Sequence, residues 1–227
     1  GRALQAFAAA RSSATKLTLI LSGACWGSAE ALARMDPAMF PDDNLIWSFH
    51  SYEPFLFSHQ GASWTGDFSQ YVYGLPFPWH EASEDERNAS RDTIRERIRS
   101  SAPLQRQPGL LSYFDEMLAS VDTKEKLDAA FAKPFAIVEA WAKLHAVKPE
   151  DIMLGEFGMI RQEYENPVVT PPAQRADFYK RQLEQAERRG YRWSMWSYGG
   201  AFGLVDAFGD QKSEPDVVNM VRSLPKR

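Results

Sequence analysis

Cysteine is nearly absent: Cys25 stands alone in 227 residues, which excludes an internal disulfide framework and leaves the redox compartment open. Among apolar neighbours it reads as a small buried side chain. No run approaches the roughly twenty apolar residues of a membrane span; the most apolar window, Leu17 to Leu21, is short, so no membrane partner is expected. Lys and Arg gather into no stripe and the net charge is only -4, which gives nothing to hold a nucleic-acid backbone. Gly-x-Ser-x-Gly and the Gly-x-x-x-x-Gly-Lys phosphate loop are both missing, which argues against a serine hydrolase and a nucleotide site. His50, His59, His80 and His145 lie on different segments without ligand spacing, so neither a metal nor a cofactor is expected. There is no internal repeat or low-complexity linker, and residues 1–227 read as a single domain. A starting Met and a signal-peptide pattern are lacking too, while Leu4 to Ala14 already reads as a helix in progress; removal of an upstream segment is the expectation.

What is there suffices for a core: 44% apolar residues and 13% aromatics. Ala3 to Ala14 has helical spacing and leads into a strand at Leu17 to Leu21. A short helical patch, Ser28 to Met35, stops at Asp36-Pro37, and a second strand follows at Leu45 to His50. Ser51 to Ala82 reads as a long aromatic-rich loop, and loops of that length are usually functional or disordered. Capping boxes at Ser83 to Glu86 and Asp122 to Glu125 open two helices, the first ending near Arg99 and the second kinked or divided at Pro134; another helix runs from about Gly109 to Ala119. A third strand begins at Ile152 and carries Glu156 past its end. A helix from Pro172 to Arg189 closes at Gly190, Trp193 to Trp196 forms a fourth strand, and Glu214-Pro215 starts a last helix. Alternation of this kind builds a parallel sheet with crossover helices, an α/β fold.

All strands of a parallel sheet end on one edge, and α/β folds place their sites there. The residues past each strand are Trp26; His50 and Tyr52; Glu156; and Trp196 with Tyr198. Singly, each is more often a hydrogen-bonded structural residue. Together they make an acid, an imidazole, phenols and indoles, a set suited to stacking on sugar faces and cleaving a glycosidic bond.

The stretch Asn44 to Trp64, with His50-Ser51-Tyr52-Glu53-Pro54 followed by Phe57 to Trp64, resembles the sixth-strand region of glycoside hydrolase family five, the cellulases and related β-glycanases. Leu154-Gly155-Glu156-Phe157-Gly158 is similar to that family's seventh-strand nucleophile motif, and Trp193 to Tyr198 to its eighth-strand tryptophan. The resemblance implies the second half, strands five to eight, of a TIM-type (β/α)8 barrel, with secretion or a periplasmic location. It also implies a retaining hydrolase of β-linked glucan in which Glu156 is the nucleophile. Tyr52 would hydrogen-bond and tune it, His50 would line its surroundings, and Trp196 would floor the cleaved sugar. Trp26 and Trp64 are flanking platforms, with core or loop packing as the alternative. The family's acid/base lies in an Asn-Glu-Pro motif that this sequence lacks; Glu53-Pro54 falls on the wrong strand. The partners implied are a polysaccharide and the missing N-terminal half. The rival readings are a non-catalytic sugar-binding half barrel and an exopolysaccharide-processing glycosidase.

Overall fold

A computed structural model describes residues 2–163, 170–205 and 214–224. The elements run α1 (Arg2–Ser13), β1 (Leu19–Ser22), the single turns α2 (Ala24–Gly27) and α3 (Ala29–Leu32), β2 (Leu45–His50) and another turn, α4 (Phe55–Ser58). After these come α5 (Glu84–Ser101), α6 (Gln107–Ala119), α7 (Lys124–His145), β3 (Ile152–Glu156), α8 (Pro172–Arg189), β4 (Arg192–Trp193) and α9 (Pro215–Arg222). The strands form a four-stranded sheet in the order β1-β2-β3-β4, every pair parallel. The chain is an α/β protein.

It divides into two compact units. The first runs to Ser51 and adds Lys133–Glu156 and Leu183–Ser194, so it holds the whole sheet. Both faces of β2 are covered, and side chains alternate across a strand. On one face Phe49 meets the edge of Phe135 at 5.2 Å and Trp47 meets Trp141 at 5.4 Å. Trp141 also donates from Nε1 to the Met35 carbonyl at 2.8 Å, which gives its buried polar atom a partner. The other face carries Ser48 and His50, opposite Gly155 of β3.

The second unit comprises Tyr52–Ala132, Phe157–Gln182 and the chain from Met195. Its core joins Leu56, Phe57, Val72, Leu75, Phe77 and Trp79 to apolar residues of α5, α6, α7 and α8, among them Ile94, Phe114, Phe131 and Phe178. Residues 51–82 are therefore not one long loop. They contain α4 and several single turns, and Phe57, Phe77 and Trp79 are core with Phe68 and Tyr71 packed against it, because burying such rings gives more than exposing them to water.

Other expectations shift in detail. Ser83 caps α5 by accepting from the Glu86 N–H, Pro215 opens α9, and Gly190 takes a φ of 76° after α8, all as the sequence suggests. Helix α7 continues through Pro134 without division. β1 begins later than Leu17, β4 is only Arg192–Trp193, and Glu156 is the last residue of β3 instead of lying past it. Cys25 is exposed, since Cys25 and Trp26 both take left-handed φ, 53° and 54°, in the turn after β1.

Candidate active site

The first unit brings two of the proposed residues together. His50 ends β2 and pairs in register with Glu156 at the end of β3, after an irregularity between Phe49 and His50. His50 Nδ1 lies 3.4 Å from a Glu156 carboxylate oxygen, with side-chain exposures of 19% and 29%. The contact is electrostatic in distance but lacks hydrogen-bond geometry, since Nδ1 is a buried atom with no hydrogen bond. The Ser51 N–H donates to the Glu156 carbonyl at 3.0 Å and so locks the strand ends together.

Two glycines make room for this pair. A β-carbon on Gly155 would stand 2.1 Å from Ser48 Oγ and 3.4 Å from the His50 ring. One on Gly27, whose φ is 72°, would stand 2.8 Å from His50 Nδ1. The imidazole is thus flanked by backbone alone at these two points, and its position is set by sheet register. Trp26, in the same unit, is 94% exposed, which removes core packing as its role.

Tyr52, Trp64 and Trp196 belong to the second unit. Tyr52 packs edge-on against His59 and Phe202, at 5.1 and 5.6 Å. His59 is buried, stacks on Phe55 at 3.9 Å and contacts Ser58 Oγ through Nδ1 at 2.9 Å. Ser58 Oγ in turn donates to the Tyr52 carbonyl at 2.6 Å. Burial lowers the His59 pKa to about 4, so the ring is neutral near pH 7. Trp64 and Trp196 are 51% and 46% exposed, rings available for stacking. The Trp196 backbone N–H donates to the Phe157 carbonyl at 3.0 Å, which ties the chain at Trp196 to Phe157.

Two carboxylates of the second unit accept from backbone N–H groups. Glu53 accepts from the Phe55 N–H at 3.2 Å, and buried Glu163 accepts from the Ser63 N–H at 3.2 Å. Among the described residues no group of three or more His, Cys, Asp or Glu could hold a metal, and no helix is long and apolar enough to cross a membrane.

Sequence reasoning missed a buried ion pair. Arg175, fully buried on α8, pairs with the Glu214 carboxylate and donates from Nε to the Met159 carbonyl at 2.9 Å and from Nη2 to that of Phe202 at 2.9 Å. A cation in line with Phe178, Tyr179 and Gln182 on a face that is otherwise buried was the available signal.

Residues 2–202 match the family Cellulase (glycosyl hydrolase family 5). Endoglucanase 3 of Fibrobacter succinogenes is 27% identical over 192 residues, 85% of this chain and 25% of that protein. Among solved structures, the cellulose synthase subunit Z of Clostridioides difficile aligns with a TM-score of 0.59 at 22% identity, covering 96% of this chain and 53% of that one. The Thermotoga maritima Cel5A complexed with cellobiose aligns at 0.57 and 22%, covering 96% and 52%. The chain thus spans about half the length of these structures and a quarter of the endoglucanase. With a parallel sheet whose adjacent strands end in His50 and Glu156, and with a family match over most of its length, the chain belongs to glycosyl hydrolase family 5, the cellulases.

Proposed function

We propose that this chain is the C-terminal half, strands five to eight, of a single (β/α)8 catalytic domain that hydrolyses β-linked glucan with retention of configuration. The observation that carries the reading is the His50–Glu156 contact at the ends of neighbouring parallel strands, held open by Gly27 and Gly155. The Glu156 carboxylate attacks the anomeric carbon as the glycosidic C–O bond breaks, the leaving oxygen takes a proton from the acid/base, and water, deprotonated by that same base, then displaces Glu156 to release the sugar. His50 lines the nucleophile's surroundings, Tyr52 tunes the carboxylate, and Trp196 floors the cleaved sugar. Trp26 and Trp64 extend the sugar-binding surface. The acid/base comes from an upstream half that carries strands one to four, and the whole enzyme acts outside the cytoplasm on polysaccharide, without a cofactor.

Retaining hydrolysis needs a second carboxyl about 5 to 5.5 Å from the first. The chain by itself is therefore expected to be inactive on soluble β-glucan, and adding the upstream half as a separate polypeptide is expected to restore turnover. Glu156→Gln in the restored pair should lower turnover by at least about a thousandfold while leaving glucan binding intact, since charge is lost and shape kept. Sugar binding without turnover in the restored pair would favour a non-catalytic carbohydrate-binding protein. Activity of the chain alone, abolished by Glu156→Gln, would mean that Glu53 or Glu163 supplies the acid.

A further inference from the structure

The backbone that carries Trp196 rests on a buried polar post. Tyr179 lies one helical turn after Arg175 on α8, so both side chains project from the same face. Arg175 Nη2 donates to the Tyr179 hydroxyl oxygen at 3.3 Å. With that lone pair occupied by a cation, the phenol's own proton is directed to an acceptor, and the Trp196 carbonyl stands at 3.1 Å, closer than the Phe202 carbonyl at 3.4 Å. Burial pushes the Tyr179 phenol above its usual pKa, which keeps it a donor at any working pH.

The surroundings leave little slack. A β-carbon on Gly158 would stand 2.5 Å from the Trp196 carbonyl oxygen and 2.8 Å from the Tyr179 hydroxyl, so the chain after Glu156 comes close to both. Trp196 is held on its other side by its N–H on the Phe157 carbonyl. The segment beyond it is tied down as well, by Arg175 on the Phe202 carbonyl and by the Arg161 N–H on that of Ala201 at 2.7 Å. The Trp196 peptide groups are thus fixed at both ends while the indole faces solvent.

We propose that Tyr179, oriented by Arg175, is a positioning residue that sets the aim of the Trp196 ring and through it the affinity of that sugar subsite. The subsite half of this statement rests on the reading of Trp196 as a sugar platform; the positioning half does not. Tyr179→Phe removes one oxygen and keeps the ring that packs against Phe157.

The test has two arms, the first on the 227-residue chain and the second on that chain with the upstream half added, every variant checked for unchanged far-UV circular dichroism. In the first, the indole N–H resonances of the seven tryptophans are recorded, with that of Trp196 assigned by its loss in Trp196→Phe. Tyr179→Phe is expected to shift or broaden the Trp196 line and leave the other six in place; an unmoved Trp196 line overturns the proposal. In the second, cellotetraose affinity is measured for the parent, Tyr179→Phe, Trp196→Ala and the double variant, in the presence of the upstream half. Tyr179→Phe is expected to weaken binding about three- to tenfold, the range for one hydrogen bond, and to add nothing in the Trp196→Ala background. A purely structural role would instead add in that background and overturn the proposal. Unchanged affinity in Trp196→Ala alone would sink the platform reading while the resonance arm still decides the positioning.

Discussion

The two units hold their candidate site residues by different means. In the first, His50 and Glu156 are placed by backbone: parallel register, the Ser51 N–H on the Glu156 carbonyl, and glycines that leave space on two sides of the imidazole. In the second, Tyr52 and Trp196 are placed by buried polar side chains, His59 with Ser58 for the one and Tyr179 with Arg175 and Glu214 for the other. Backbone placement costs no desolvation of charge, whereas side-chain placement gathers ionisable groups away from water and makes each depend on its partner. Removing a partner should therefore hurt the second unit most.

Glu214 gives the largest expected effect. Arg175 is fully buried and its charge is compensated by Glu214, so Glu214→Ala leaves a buried cation with backbone carbonyls and the Tyr179 hydroxyl but no counter-charge. The expected loss is about 3 to 5 kcal/mol, read from urea-denaturation midpoints. A loss below about 1 kcal/mol would show that water reaches the guanidinium, and the contrast between the units would weaken.

His59 comes next and can be read from pH alone. The ring has a folded-state pKa of about 4 against an ordinary 6.5, so as pH falls below 6.5 the unfolded chain takes up a proton that the folded one refuses. Stability contributed by the neutral ring is complete above pH 6.5, declines between 6.5 and about 4, and is gone below 4. The whole window amounts to about 3 kcal/mol. His59→Phe should flatten that acid limb in thermal melts recorded across the window; an unchanged limb would assign it to other groups.

The same division decides what could be read from the sequence. The register-built half of the candidate site was legible because its signals are local. Apolar runs at Leu45 to His50 and from Ile152 mark strands, and the residues that end them, His50 and Glu156, follow directly. The side-chain half was not, because Arg175 meets Glu214 from 39 residues away, and a lone arginine on a helix usually reads as a solvated residue. The aromatic stretch 51–82 misled for a related reason. Irregular backbone rich in Gly and Pro looks like a surface loop, yet Phe57, Phe77 and Trp79 pack against helices that lie later in the chain. Periodicity carries no information about such partners. β4 was overestimated because apolar and aromatic residues continue past Trp193 although strand pairing stops there.

The smallest expected effect tests the first unit in its own terms. Gly155 sits on β3 opposite buried Ser48, and an added β-carbon would stand 2.1 Å from Ser48 Oγ, far inside any real contact. Neither strand can move easily, since β2 is paired on both sides, to β1 and to β3. Gly155→Ala should therefore cost about 1 to 3 kcal/mol by overpacking, without burying any charge. The cause is a single oxygen, so Ser48→Ala should relieve it: the double variant Ser48→Ala/Gly155→Ala is expected to be more stable than the sum of the two single changes by at least about 1 kcal/mol. Urea titrations of all four proteins measure that coupling. If Gly155→Ala is as stable as the parent, or if the two changes simply add, the glycine is not there to accommodate Ser48, and placement by backbone spacing loses its main support.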